Sequence, residues 1–263
     1  MRNSFGSLTL GVFNALVYAF LLLPVLVTIA VAFNPTSSMT FPPSSLSLRW
    51  FNAALNNMPM VNSLYTSVVL ALIASAISLG LGMLAAFAIV RYRFAGKELV
   101  QMALVSPMIV PAIVIGISLL QYFTIIGLGD SFQRLVLGHI LIALPYTVRS
   151  VSASLYGFDR SLEQASLVMG ASYPKTLYRI VVPMIKPGVI AATLFAFITS
   201  FDNVVVSMFL IGPKTMTLPV SIMMYMEWKF DPSVAAISTL LILMTAVIVI
   251  AAERVTGLGK TRI

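Results

Sequence analysis

Charged residues are spaced so far apart along most of this chain that the apolar runs between them dictate what it can become. A helix needs about 20 apolar residues to cross roughly 30 Å of hydrocarbon, and windows of that kind fit between the charges with little freedom. Six are placed: Leu8 to Phe33, Asn62 to Val90, Leu99 to Gly127, Phe132 to Leu155, Gly188 to Leu210 and Ser233 to Ala252. The fourth has the shortest charge-free core, Leu135 to Val148, so Arg149 must reach toward the interface. In hydrocarbon every backbone polar group has to be satisfied inside the protein, so the expected fold is an all-α membrane protein of six transmembrane helices. With 59% hydrophobic and 9% charged residues, against roughly a quarter charged in soluble domains, little is left for a second, soluble domain. The expectation is one transmembrane domain over residues 1–263. The first window is too long, and lacks a small-residue cleavage site, to be a removable signal peptide. No cysteine is present, which excludes disulfides, metal-thiolate sites and thiol catalysis.

Orientation follows from the loops, because cationic loops stay in the cytoplasm. Of the sixteen Lys and Arg, Arg49, Arg134, Lys214 and Lys229 fall on one side of the six windows. The other twelve, among them Arg2, Arg91, Arg93, Arg149, Arg160, Lys260 and Arg262, fall on the opposite side. Both termini are therefore expected in the cytoplasm, with the segment from Asp159 to Pro187. The net charge of +8 is a topology signal. The basic residues are dispersed and lack interleaved aromatics, so no nucleic-acid partner is expected.

The segment Asp159 to Pro187, DRSLEQASLVMGASYPKTLYRIVVPMIKP, is the one sizeable polar device in the chain. It reads as two short helices and a hinge. Asp159 caps the first, Gly170 ends it where positive φ is tolerated, and Ser172 caps the second, with Pro174 in its first turn. Pro183 and Pro187 prevent one helix from running on into the fifth window. Leu162, Ala165, Ser166 and Met169, at three- and four-residue spacing, give the first helix a small apolar face, with Arg160 and Glu163 to its side. Such a face suits either a groove on a soluble partner or the lipid headgroups.

At these positions the chain resembles a known family. Gln164, Ala165 and Ser166, then Gly170, then Ile180, Val182 and Pro183, are similar to the EAA loop (E-A-A-x3-G-x9-I-x-L-P) of permease subunits of binding-protein-dependent ABC importers. Aligned on Gly170, the motif's Glu position holds Gln164, with a carboxylate displaced to Glu163, and Ser166 replaces an Ala. Similarity extends through SPMIVPAIVIGISLL, GFDRSLEQA and SFDNVVVSMFLIGPKTMTLPVSI, and is greatest to the C-type permease of spermidine/putrescine importers. The resemblance implies the type I importer fold, with a core at about 60–255 and a coupling loop at about 159–187. It implies an ATPase subunit dimer that binds ATP and Mg, a second and distinct permease subunit, an extracytoplasmic solute-binding protein, and a bacterial inner membrane. No cofactor is expected on this chain. The residues implied in ATPase docking are Ser161, Leu162, Glu163, Gln164, Ala165, Ser166, Met169, Gly170, Ala171, Ser172 and Tyr173.

Along the solute pathway the candidates are Asp202, Asn203 and His139. Asp202 is the one acidic residue inside the six windows, and intramembrane charge is a functional hypothesis by default. Counted at 1.5 Å per residue from Gly188, it lies roughly 21 Å along a fifth helix. Its carboxylate can attract a cationic ammonium group, with Asn203 hydrogen bonding beside it; the alternative is pairing with a neighbouring helix or capping a broken one. Polyamine-type relatives are expected to carry acids where this chain has Ala112 and Asn203, which leaves room for a monocationic, zwitterionic or anionic solute. His139 either bonds an adjacent helix or lines the pathway; one His without Cys cannot assemble a usual metal set. Pro107 and Pro111 are expected to bend the third helix, either as a packing kink or to face carbonyls to a cavity. Gly80, Gly82, Ala85, Ala86 and Ala88 give the second helix small residues for close contact.

Gly259, Lys260 and Thr261 mimic the end of a phosphate loop, but Arg254 stands where its first Gly belongs. No nucleophile-base set converges, against an intramembrane enzyme. A secondary transporter calls for an inverted repeat and ionisable coupling residues, and the chain offers no such repeat and one buried acid.

Overall fold

A computed structural model of the chain describes residues 4–213 and 215–256. Arg2, Lys214, Lys260 and Arg262 of the loop charge count, and the Gly259 to Thr261 stretch, lie outside the described residues. The elements in chain order are α1 (Ser4–Ala32), α2 (Arg49–Leu55), α3 (Met58–Arg91), α4 (Lys97–Val105), a 3-10 turn (Ser106–Met108), α5 (Ala112–Ile125), α6 (Ser131–Tyr156), α7 (Arg160–Val168), α8 (Tyr173–Thr176), a π-helical turn (Leu177–Val181), α9 (Val182–Met184), α10 (Lys186–Phe201), α11 (Val205–Leu210), α12 (Leu218–Trp228) and α13 (Ser233–Thr256). The described residues contain no β-strand, only an isolated bridge between Gly212 and Thr215. Among the described residues four helices are long and apolar enough to cross a membrane singly, or up to six crossings if each of two bent pairs counts as one.

The third span bends at Pro107 and Pro111 as expected: Lys97–Met108 and Ala112–Ile125 meet at 103°. Pro111 lacks an N-H and becomes the N-cap of α5, its carbonyl accepting from Val114 and Ile115. The fifth also breaks: α10 ends at Phe201 and α11 restarts at Val205.

The backbone falls into two compact units. One comprises Met1–Val61 with Ile222–Ile250. Within it the loop after α1 is folded onto itself: buried Asn34 donates to the Thr40 carbonyl at 2.8 Å, and the Trp50 indole donates to Thr36 O at 3.2 Å. Asp231 caps α13 through Ser233 N at 2.9 Å and accepts from the Tyr225 hydroxyl at 2.9 Å.

The other unit, Asn62–Ser221 with Ala251–Ile263, carries the functional candidates. Helix α6 is its inner element, and its burial explains how the fourth window tolerates polar residues. One core joins Ala86 and Val90 of α3, Val151 and Leu155 of α6, Phe158, Val181 and Ile185, and Ala192 of α10. A second joins Leu70, Ile115, Phe123, Leu135, Ile142, Val206 and Leu210. Lipid supplies no hydrophobic drive between helices, so close backbone approach and interhelical hydrogen bonds set the packing. A Cβ on Gly82 would lie 2.0 Å from Thr147 Oγ1, and that hydroxyl donates to Ser78 O at 2.9 Å while Ser78 Oγ donates to Ile140 O at 3.2 Å. Gly82 and Ala86 therefore fulfil the expected small-residue role, whereas Gly80 faces open space. A Cβ on Gly188 would lie 1.7 Å from Ser154 Oγ, so α10 and α6 touch almost backbone to backbone there.

Candidate functional site

The segment after α6 forms a knuckle at one end of this unit. Asp159 adopts an extended conformation and its Oδ1 accepts from Ser161 N at 2.9 Å, capping α7 as expected. That bond holds the Asp159 carboxyl below its ordinary value of 3.8. Gly170 ends the helix at φ +85°, with Gly170 N donating to Leu167 O at 3.0 Å and Ala171 N to Ser166 O at 3.1 Å. The paired bonds are a Schellman turn, which a residue with a Cβ enters only at a cost. Ser172 holds the N-cap position of α8, but its side chain makes no capping bond there. Pro183 and Pro187 end the run as anticipated, and Tyr173–Met184 meets Lys186–Phe201 at 70°.

One sequence expectation for α7 needs correction. Ser166 is not on an exposed face with Leu162, Ala165 and Met169; it is buried and shares a 3.0 Å hydrogen bond with Thr176, clasping α7 to α8. The exposed apolar residues of α7 and its C-cap include Leu162, Ala165, Leu167, Val168 and Met169, the last two 88% and 80% exposed. The Glu163 carboxylate meets Arg91 Nη2 at 2.8 Å, with the two side chains only 12% and 7% exposed. Nearby, Arg160 Nη2 donates to Val90 O at 2.9 Å and the Arg91 guanidinium lies 5.4 Å from the Phe158 ring centroid. The C-terminal end of α3 is thus fastened to Phe158 and to the start of α7 by three contacts. Beside the fastening opens a cleft of about 360 Å³ lined by Arg91, Tyr92, Arg160, Glu163, Gln164, Leu167 and Tyr173. Desolvation, with Tyr92 and Glu163 nearby, raises the Tyr173 phenol above its usual 10.0, so it stays a neutral donor.

At the break in the fifth span, Asp202 is the C-cap of α10, outside the helix, and exposed. The expected position along a continuous helix is therefore replaced by a position at a helix end, where the α10 carbonyls make the surroundings negative. Asn203, not Asp202, caps the following helix: its Oδ1 accepts from Val206 N at 2.9 Å. His139 is fully buried and bridges the break, Nδ1 to Ser200 Oγ at 2.8 Å and Nε2 to Ser207 Oγ at 3.0 Å. Ser207 Oγ in turn donates to the Asn203 carbonyl. His139 is thus bonded to adjacent helices, the first of its two anticipated roles. The rings of Phe197 and Phe201 stack 5.7 Å apart on the last turn before Asp202.

Arg91, Tyr92, Phe158 and Thr176 of the knuckle, and Ser200 and Ser207 of the break, were not among the residues singled out for function. Ser200 and Ser207 share a seven-residue spacing that repeats one helix face, a signal interrupted by the break itself. Arg91 and Glu163 are too far apart in sequence for any local pattern to join them.

A family model described as "Binding-protein-dependent transport system inner membrane component" matches residues 78–259. Over 248 residues, 94% of both chains, the sequence is 34% identical to the spermidine/putrescine transport system permease protein PotC of Escherichia coli (strain K12). It is 29% identical to the putrescine transport system permease protein PotI of the same organism, over 86% of this chain and 82% of that one. Among solved structures, a chain of a bacterial ABC transporter involved in alginate import superposes with a TM-score of 0.70, at 15% identity and 99% coverage of both. A chain of the MetNI methionine ABC transporter in an inward-facing form superposes at 0.58, with 20% identity, over 75% of this chain and 92% of that one.

Proposed function

This chain belongs to the family of binding-protein-dependent transport system inner membrane components, and on that premise we propose that it forms half of the transmembrane pathway of an ATP-driven importer in a bacterial inner membrane. Both units work as one transmembrane domain of six crossings, each bent pair counting once, with the termini and the knuckle in the cytoplasm. The chain itself performs no chemistry. A pair of ATPase subunits, holding ATP and Mg, docks on the knuckle; a second, distinct permease completes the pathway, and a solute-binding protein delivers from the other side.

The observation that carries this reading is the knuckle. Two short helices joined by a Schellman turn present Leu162, Ala165, Val168 and Met169 outward, while Ser166 clasps α7 to α8 and Glu163 ties the device to α3. An apolar, small-residue face on a rigid base is what a motor subunit needs to grip, and displacement there passes as rigid-body motion into α6 and α10. Deleting Ser166–Gly170, or placing Arg at exposed Ala165, is expected to release the ATPase subunit while membrane insertion persists. Co-purification as in the native complex would overturn the docking role.

The solute is proposed to be a polyamine-like amino compound. Support comes from the named substrates of the relatives and from Asp202, an exposed carboxylate at the negative end of α10. With Asn203 beside it, Asp202 lies on the solute pathway; His139 supports that site from behind. Asp202→Asn is expected to raise the KM for putrescine uptake in proteoliposomes about tenfold, one lost charge contact. A second reading, an amino acid, opine or organic anion, draws on the break having Asn203, engaged in capping, where a second carboxylate would suit a multiply charged cation. Binding measured on the cognate solute-binding protein, putrescine against these solutes, decides between them.

A further inference from the structure

The cleft beside α7 carries more positive than negative charge. Of its lining residues Arg91 and Arg160 are cations and Glu163 is the one carboxylate. That carboxylate is already committed, 2.8 Å from Arg91 Nη2, and Arg91 Nε is buried without a hydrogen-bond partner. Arg160 spends one N-H on the Val90 carbonyl, and its guanidinium has others to offer. The Arg91 side chain is buried and balanced by Glu163, whereas Arg160 is exposed, so the surplus positive charge stands at the mouth of the cleft where an incoming anion can reach it. Arginine forks match carboxylates in particular, two parallel N-H donors to two oxygens. Tyr92 and Tyr173 add neutral hydroxyl donors at the wall, and Gln164 and Leu167 line the same opening. The opening lies on α7, the helix whose exposed apolar residues form the proposed docking face.

We infer that this cleft is a carboxylate receptor, in which an Asp or Glu side chain of the ATPase subunit enters between Arg91 and Arg160 when the motor docks. The inference rests on the docking role proposed for the knuckle and adds its polarity. The cation is on the permease and the anion on the motor. Gln164, standing where the related motif carries Glu, then has a physical reason: a carboxylate there would fill the receptor from within and repel the incoming acid.

The test uses the complete complex, permeases with ATPase subunits, reconstituted in proteoliposomes. Gln164→Glu is expected to lower solute uptake per ATP hydrolysed, and retention of the ATPase subunit, by about tenfold. Arg160→Glu is expected to release the motor, and a Lys substitution at one acidic surface position of the motor restores it. Uptake or retention by Gln164→Glu at or above wild type, or no acidic motor position whose Lys variant rescues Arg160→Glu, would overturn the inference. The docking role fails separately: if Ala165→Arg and the Ser166–Gly170 deletion both keep the motor bound, that role is wrong. If they release it while Gln164→Glu behaves as wild type, only the carboxylate receptor is wrong.

Discussion

The knuckle and the break in the fifth span are both interruptions of helix, and they are secured in opposite ways. At the knuckle the contacts are charged: Glu163 on Arg91, Arg160 on the Val90 carbonyl, Asp159 on Ser161 N. At the break they are neutral, with His139 between two serine hydroxyls and Asn203 capping α11. Ion pairs bring a desolvation cost that falls where water is near, so charge suits an interruption at the rim of the unit. Deeper in, uncharged partners satisfy the freed groups at lower cost, and the lone carboxylate there, Asp202, is exposed. The difference separates a charged interruption at the rim of the unit from an uncharged one inside it.

The severest way to break this comparison is to reverse one charge of the Arg91–Glu163 pair. Arg91→Glu or Glu163→Arg alone is expected to cost about 3–5 kcal/mol and to abolish coupled uptake. The double swap should regain much of both, read from thermal unfolding and transport in a double-mutant cycle. An equal loss in the double swap would mean the pair is not what fastens α3 to α7. Next in size is His139→Leu, which strands the Ser200 and Ser207 hydroxyls and is expected to cost about 1–3 kcal/mol. His139→Gln should retain part of that stability, as thermal unfolding in nanodiscs will report. Gly170→Ala sharpens the local side of the contrast, because a Cβ at φ +85° is strained; about 1 kcal/mol is expected, with the break unaffected.

The smallest effect concerns pH. Asp159 has a folded pKa depressed by its bond to Ser161 N, so its contribution is present above the ordinary value of 3.8 and is lost as pH falls through the lower folded value. Asp159→Ala should therefore lower the melting temperature at pH 7 and cease to do so once wild type is itself protonated. Asn203 carries no titratable group, so its capping bond to Val206 N has no pH dependence of its own.

The knuckle is largely legible in the sequence because local chemistry shapes it. Asp159, Gly170, Pro174 and Pro187 each act over a few residues, so their roles as cap, stop and breaker can be told from type and position. Ser166 escaped this reasoning because its partner, Thr176, is reached only once the chain has turned back at Gly170. Glu163 escaped for the same reason on a larger scale, since its fate is set by α3. At the break, Asp202–Asn203 inside an apolar run was a legible interruption: short polar side chains compete for backbone hydrogen bonds and favour caps over helix interiors. Hydropathy alone carried the helix through them, and a window average cannot see a capping bond such as Asn203 to Val206 N.

Close contact at Gly188–Ser154 and the His139–Ser200 bond pin α10 to α6 at two levels, twelve residues and roughly 18 Å apart. Two helices riveted at both levels bend far less than either would alone, so together they behave as a girder. A push delivered near Gly188 must swing the far tip, where Asp202 sits, instead of being absorbed between them.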